Sequence, residues 1–209
     1  RFKGVDLVAG CGDLPFYYLE YVVSCLDVPL YYVHGNHVST VEHTTGGDRT
    51  HPWGAVNVHM RTVTDETGLL VAGIEGSLRY NYGPHQYTQA EMWILAGLLS
   101  LKLMQNRILR GRYLDIFISH APPWQIHDRD DQPHRGIKAF LWLDRVFQPA
   151  YHFHGHTHLY RQDEPWRTRY FQTDIVNAYG YREVELNLIQ RKVRRVFQTR
   201  SNGIGEHDR

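Results

Sequence analysis

The sequence predicts an α/β fold in a single domain spanning residues 1–209, and three observations carry that expectation. Short apolar runs of strand length recur and end at turn residues, as buried strands do. Segments of helical length separate the early runs, an order that lays helices on the faces of a sheet. No repeat, low-complexity tract or linker divides the 209 residues, which suffice for one sizeable core.

The elements follow in order. "VDLVAG" (5–10) and "VPLYYV" (28–33) read as the first two strands. Between them "PFYYLEYVVSCL" (15–26) has helical length, with Pro15 near its first turn, where a missing N–H costs no hydrogen bond. "STVEHTTGGDRTHPWG" (39–54) is rich in Gly, Thr and His and reads as a loop. "GLLVAGIEG" (68–76) and "LDIFISH" (114–120) are further strands. The connection between them holds a helix from Thr88 to Arg110. Thr88 and Glu91 form a T-x-x-E capping box, and Gly111 stands where a C-terminal cap belongs. This helix contains the longest apolar run, "MWILAGLLSL" (92–101), which is too short to span a bilayer. Its apolar width suits packing on a core, with a homo-oligomer interface through 88–110 as the alternative. "GIKAFLWLDRVF" (136–147) is a helix leading into the strand "AYHFHG" (150–155). "REVELNL" (182–188) alternates, placing Val184, Leu186 and Leu188 on one face. The segment 191–209 opens with "RKVRRVFQTR", which carries five basic residues and reads as a solvated hairpin face and frayed tail rather than a nucleic-acid strip.

Hydrophobic residues make up 42% and charged residues 22% of the chain, an ordinary globular balance. A net charge of +1 gives no overall field that selects nucleic acid or a membrane as partner. The two cysteines, Cys11 and Cys25, are too few for a disulfide framework or a cysteine zinc site, so a cytoplasmic setting is expected. No signal peptide is recognisable, and the chain opens "RFKGVDLVAG" without an initiator methionine, so a fragment of a longer protein is expected.

The residues that follow the strands bear the chemistry. "VDLVAG" runs into "CGD", delivering Asp13, and "VPLYYV" into "HGNH", delivering Asn36 and His37. "LDIFIS" ends in "HAPP", delivering His120, and "YHF" runs into "HGHTH", delivering His156 and His158. In open α/β sheets ligands bind beyond the carboxyl ends of strands, so four strand ends direct these groups to one rim. The set offers nitrogen and oxygen ligands without thiolate, which suits Mn²⁺, Fe or Zn²⁺ better than Ca²⁺ or Mg²⁺. His152 and His154 share the other face of their strand from Tyr151 and Phe153 and are expected to be hydrogen-bonded beside the core, or to support the ligands.

The order GD, GNH, SHAPP, GHTH, from Gly12 to His158, resembles the calcineurin-like metallophosphoesterase family over about 70% of the chain. The resemblance implies a four-layer αββα fold, a β-sandwich flanked by helices, with two divalent metals at its rim. Asp13 resembles the carboxylate that bridges both metals; Asn36, His120 and His156 resemble the other ligands of the second metal, and His158 a ligand of the first. His37 resembles the histidine that assists the leaving group. Two features depart from the family pattern. No D-x-H precedes Asp13, so the first strand of the fold is expected to lie upstream of Arg1. Val38 stands where an acidic residue usually orients the preceding histidine.

The implied activity is hydrolysis of a phosphomonoester or phosphodiester, a small phosphate-ester substrate. Two divalent ions about 3.5–4 Å apart clamp the phosphoryl oxygens and turn a water into hydroxide at neutral pH. Asp13 suits bridging because a carboxylate has two oxygens, and His37 can donate a proton to the departing alkoxide. In the loops 76–88 and 126–136, Arg79, His85 and Arg135 are candidates for holding substrate. The alternative is a non-catalytic metal-bearing scaffold or interaction module with a degenerate first metal site.

Overall fold

The computed structural model describes residues 2, 4–38, 41–161 and 163–186. Its elements run β1 (Val8–Gly10), α1 (Phe16–Leu26), β2 (Leu30–Tyr32), β3 (Glu42–Thr44), β4 (Gly47–Arg49), β5 (Ala55–Asn57), β6 (Thr62–Thr64), β7 (Leu70–Ile74), β8 (Ser77–Leu78), β9 (Gln86–Tyr87), α2 (Gln89–Arg110), β10 (Ile116–Ser119), α3 (Lys138–Phe147), β11 (Tyr151–His154), β12 (Arg167–Tyr170) and β13 (Thr173–Asn177). The fold is α/β, as the alternation of apolar runs and helical segments predicts.

Two sheets form its centre. A three-stranded parallel sheet has the order β1-β2-β5. A six-stranded sheet has the order β12-β13-β11-β10-β7-β6; its four inner strands are parallel, and β12 and β6 lie antiparallel at its edges. The period-2 alternation of strand side chains sorts the core into three clusters. Leu30 and Tyr32 of β2 face Leu19 of α1. Their neighbour Tyr31 points the other way and packs with Val71, Ile116, Ile118, Tyr151 and Phe153 of the larger sheet. Leu70, Ala72 and Phe117 turn to the far side and meet Met92, Leu99, Leu103 and Phe140 of α2 and α3. The packing order is helix, sheet, sheet, helices. Each fully buried Leu, Ile or Phe contributes about 1.5–3 kcal/mol; the Tyr31 cluster joins the two sheets, and the other two hold the helices onto them.

The caps of α2 match the sequence. Thr88 Oγ1 accepts from the Glu91 N–H at 3.2 Å, and the Glu91 carboxylate accepts from the Thr88 N–H at 2.6 Å. Gly111 ends the helix at φ 77°, the left-handed conformation that glycine adopts without strain. Replacing Thr88 by alanine removes one half of this box. The expected result is a loss of about 1 kcal/mol, read as a lower urea midpoint at unchanged m-value.

The structure departs from the sequence reading in several places, among them the short strands β5, β6, β8 and β9, which match none of the expected elements. The expected loop 39–54 contains the hairpin β3–β4, which turns at Thr45 and Gly46 and resumes pairing at Gly47, φ 115°. Residues 182–186 form no strand, yet Val184 and Leu186 still pack against the inter-sheet cluster. Leu188 and the basic segment 191–209 lie outside the described residues. The hairpin β12–β13 has no counterpart among the expected elements: "RTRY" alternates between exposed and half-buried positions, the pattern of a polar edge strand rather than an apolar run. Among the described residues no helix is long and apolar enough to cross a membrane.

Candidate metal site at the carboxyl rim of the strands

The parallel strands β1, β2, β10 and β11 end at one rim, and the chain turns sharply there. Past β1, Gly12 (φ 90°) and Asp13 (φ 52°) both adopt the left-handed region. Past β11, His156 does so too (φ 62°). For non-glycine residues such a conformation is uncommon and is held by surrounding contacts. Asp13 Oδ1 accepts the His37 backbone N–H at 2.9 Å, tying the turn after β1 to the turn after β2. Both turns need glycine. A Cβ on Gly12 would lie 2.4 Å from His120 Nδ1, and one on Gly35 would lie 2.0 Å from Asp13 Oδ1. Gly35→Ala is therefore expected to push the Asp13 carboxylate away and weaken metal binding at least tenfold by calorimetric titration.

Asp13, His120 and His156 each bring a ligand atom within 4.8 Å of the others. Each histidine presents a fixed tautomer. His120 donates from Nδ1 to the Cys11 carbonyl at 2.8 Å, which leaves the Nε2 lone pair toward the site. There it meets Asn36 Oδ1 at 2.9 Å and Asp13 Oδ2 at 3.3 Å. These three acceptor atoms face one another with no donor among them, so a proton or a cation is needed between them. His156 donates from Nε2 to the Pro133 carbonyl at 2.7 Å, which leaves Nδ1 as its ligand atom. His120 and Asn36 are buried, and His156 is 9% exposed. Burial, with the nearby His120, lowers the His156 pKa to about 4, so its ring is neutral at physiological pH, as a ligand must be. Burial raises the Asp13 pKa, but with no metal bound the proton that sits between it and His120 lets His120 act on Asp13 by hydrogen bond and charge, and with the His37 backbone N–H this outweighs burial and holds the carboxyl down to about 2. Two oxygens and two imidazole nitrogens thus converge, and a divalent cation bound among them would take the place of the proton between His120 and Asp13.

His37 is exposed at the mouth of this group. Its Nε2 lies 3.3 Å from the Tyr80 hydroxyl, which also accepts from Asn36 Nδ2 at 2.9 Å. Tyr80 joins two site residues, and it is absent from the candidates the sequence suggests. It stands in the tyrosine-rich stretch "GSLRYNYGPHQYT", where charge draws attention to Arg79 and His85 instead. The loop that carries Tyr80 is knit by Gln86, whose Oε1 accepts from the Tyr80 and Asn81 N–H groups at 3.2 and 3.1 Å. A cleft of about 300 Å³ opens between residues 36–38 and this loop, with Tyr80 and Gln86 in its wall.

The remaining candidates have other surroundings. His158 is exposed and lies outside the group of three ligands; its Nδ1 contacts the Tyr160 hydroxyl at 2.9 Å and its ring stacks on Tyr179 at 4.5 Å. Arg79 pairs with Glu91 at 3.1 Å, at the cap of α2. His85 Nδ1 lies 2.9 Å from Glu75. Arg135 is exposed and donates to the Asp130 carbonyl at 3.0 Å. Val38 is buried at 6% exposure.

Behind the rim, the other two histidines of "YHFHGHTH" are buried and hydrogen-bonded. His152 lies 2.8 Å from Asp144 through Nδ1 and 2.8 Å from Ser119 Oγ through Nε2. Ser119 in turn donates to the Ala121 carbonyl at 2.7 Å, so this chain braces the strand end that bears His120. His154 Nε2 and His127 Nδ1 lie 2.9 Å apart, and His127 Nε2 contacts the Thr168 hydroxyl at 2.8 Å.

Comparison with known proteins yields structural likeness without sequence likeness. No protein-family model matches the chain, and no curated protein matches it in sequence. The crystal structure of TT1561 of Thermus thermophilus superposes with a TM-score of 0.53 at 16% identity, over 84% of this chain and 77% of that one. A second solved structure gives a TM-score of 0.52 at 17% identity, over 78% of this chain and 62% of that one. At these identities the likeness is one of fold: the α/β architecture built here recurs in proteins of solved structure.

Proposed function

We propose that the chain is a metal-dependent phosphoesterase of the calcineurin-like type, built on that family's αββα sandwich. The observation that carries this reading is the convergence of Asp13, His120 and His156 ligand atoms within 4.8 Å of one another. Asn36 Oδ1, 2.9 Å from His120 Nε2, completes a four-atom oxygen and nitrogen set. That set suits Mn²⁺, Fe or Zn²⁺ better than Ca²⁺ or Mg²⁺. Asp13, with two carboxylate oxygens, is the group that can serve two ions. Bound divalent ions supply Lewis-acid polarisation of the phosphoryl oxygens and lower the pKa of a water molecule.

The protein's own groups do the rest. Asp13 is kept ionised and Asn36 is neutral, so the site retains enough positive charge, once loaded, to attract a phosphate ester. His37, exposed at the mouth, donates a proton to the leaving oxygen. The cleft beside it receives the leaving group. The test is hydrolysis of p-nitrophenyl phosphate and bis-p-nitrophenyl phosphate. Activity is expected with Mn²⁺, lost with a chelator, and restored by added Mn²⁺.

A second reading has one observation in its favour. His158 contacts Tyr160 and Tyr179 instead of the ligand group, which leaves Asp13 alone to serve a first metal position among the described residues. A metal-bearing scaffold would bind Mn²⁺ stoichiometrically and hydrolyse neither substrate.

A further inference from the structure

The helix α2 carries two apolar faces, and the protein's own core covers only one. Met92, Ala96, Leu99 and Leu103 are buried against the six-stranded sheet and α3. On the opposite side, Ile94, Leu98, Leu101, Met104, Ile108 and Leu109 are 48–81% exposed. Ile94, Leu98, Leu101 and Ile108 follow the spacing i, i+4, i+7, i+14, with Gln105 at i+11. This is the two-position heptad seam by which one helix packs against another. A helix that only roofs a core needs a single apolar stripe and a polar outer face.

We propose that this face is the contact between two copies of the chain, paired about a two-fold axis through α2. Area supports that occupant. The six exposed side chains present roughly 700 Å² per copy, near the ~800 Å² that each partner gives to a stable interface and beyond the few hundred Å² usual for a monomer's largest patch. The character of the face supports it too. A two-fold axis sets a surface against itself, so every charge on it meets its own like. From Met92 to Leu101 the helix carries no charge at all. Lys102, at the margin of the seam, is drawn away by its bond to the Met60 carbonyl at 2.7 Å. Gly97 has nothing within 4 Å of where a Cβ would stand, so a second backbone can approach closely there.

Sedimentation equilibrium of the chain at micromolar concentration is expected to give twice the chain mass. Leu101→Glu should raise the dimer dissociation constant at least ~100-fold, because it buries two carboxylates at the axis. Far-UV circular dichroism and Mn²⁺ titration, unchanged in that variant, separate lost association from lost folding. A second variant needs no loss of function: Leu101→Cys in a Cys25→Ser background should form a disulfide-linked dimer on mild oxidation. A monomeric parent chain overturns the proposal. So does a Leu101→Cys thiol that neither cross-links nor reacts with a maleimide, since a segment of the same chain then covers the face. Association that survives Leu101→Glu overturns it as well, by placing the contact elsewhere.

Discussion

Replacing His37 by alanine is expected to lower the rate of alkyl phosphate-ester hydrolysis by about 10²–10⁴-fold while leaving metal content unchanged. The structure separates the two effects. His37 holds Asp13 through its backbone N–H, at 2.9 Å from Oδ1, and that bond survives loss of the side chain. The ring itself is exposed and belongs to no part of the core. Its removal therefore takes away the proposed proton donor while leaving the backbone bond to Asp13 in place. His156→Ala, by contrast, removes a proposed ligand and should empty the site, which metal analysis after gel filtration will read directly.

The loss in the His37 variant should depend on the leaving group. Nitrophenolate departs without a proton, whereas an alkoxide needs one. The penalty is expected to be small for aryl esters and largest for alkyl esters; equal penalties for both would reject proton donation by His37. Tyr80 gives the second arm. In place of the acidic neighbour that Val38 cannot supply, the Tyr80 hydroxyl lies 3.3 Å from His37 Nε2 and also receives the Asn36 amide. Tyr80→Phe should slow alkyl-ester hydrolysis in the same direction as His37→Ala, and by less.

Much of this is legible in the sequence, for reasons particular to each stretch. The strands of "VDLVAG", "VPLYYV" and "LDIFISH" lie between other layers and so are nearly all apolar, a signal that survives without tertiary context. The α2 boundaries are legible because Thr88, Glu91 and Gly111 are local devices whose partners lie within four residues. Asp13, Asn36, His120 and His156 are legible because each closely follows a strand end. What escapes has a common cause. The hairpins β3–β4 and β12–β13 are largely polar, and their pairing depends on turns at Thr45–Gly46 and Phe171 rather than on an apolar period. Tyr80 acts from a loop 43 residues from His37, and no spacing rule links the two. Its signal is the tyrosine-rich composition of 76–88, which marks a loop without saying which hydroxyl turns inward.

The histidine network behind the rim predicts a steep acid sensitivity in the metal-free protein. Burial lowers the His127 pKa to about 4, the same cause with His120 lowers His156 to about 4, and His154, fully buried, is held well below its ordinary value. The ordinary value for these rings is 6.5. Between those limits the unfolded chain takes up a proton at each ring and the folded chain does not, so stability falls as the pH falls. The contribution is fully present above pH 6.5 and is lost as the pH approaches 4. From pH 7 to pH 5, His127 and His156 each cost on the order of 2 kcal/mol, and His154 adds in the same direction. That is a large part of the roughly 5–15 kcal/mol that stabilises a typical domain. Asp13 does not produce this window: held down to about 2, it loses its contribution only below about pH 4. Urea unfolding in chelator across pH 5–7 is the measurement, and an unchanged midpoint over that range would sink the account. His127→Gln sharpens it. A glutamine amide can still donate to His154 Nε2 and accept from Thr168, the two bonds His127 makes at 2.9 and 2.8 Å. The variant should therefore fold at pH 7 yet lose about 1.4 kcal/mol per pH unit from the slope below pH 6.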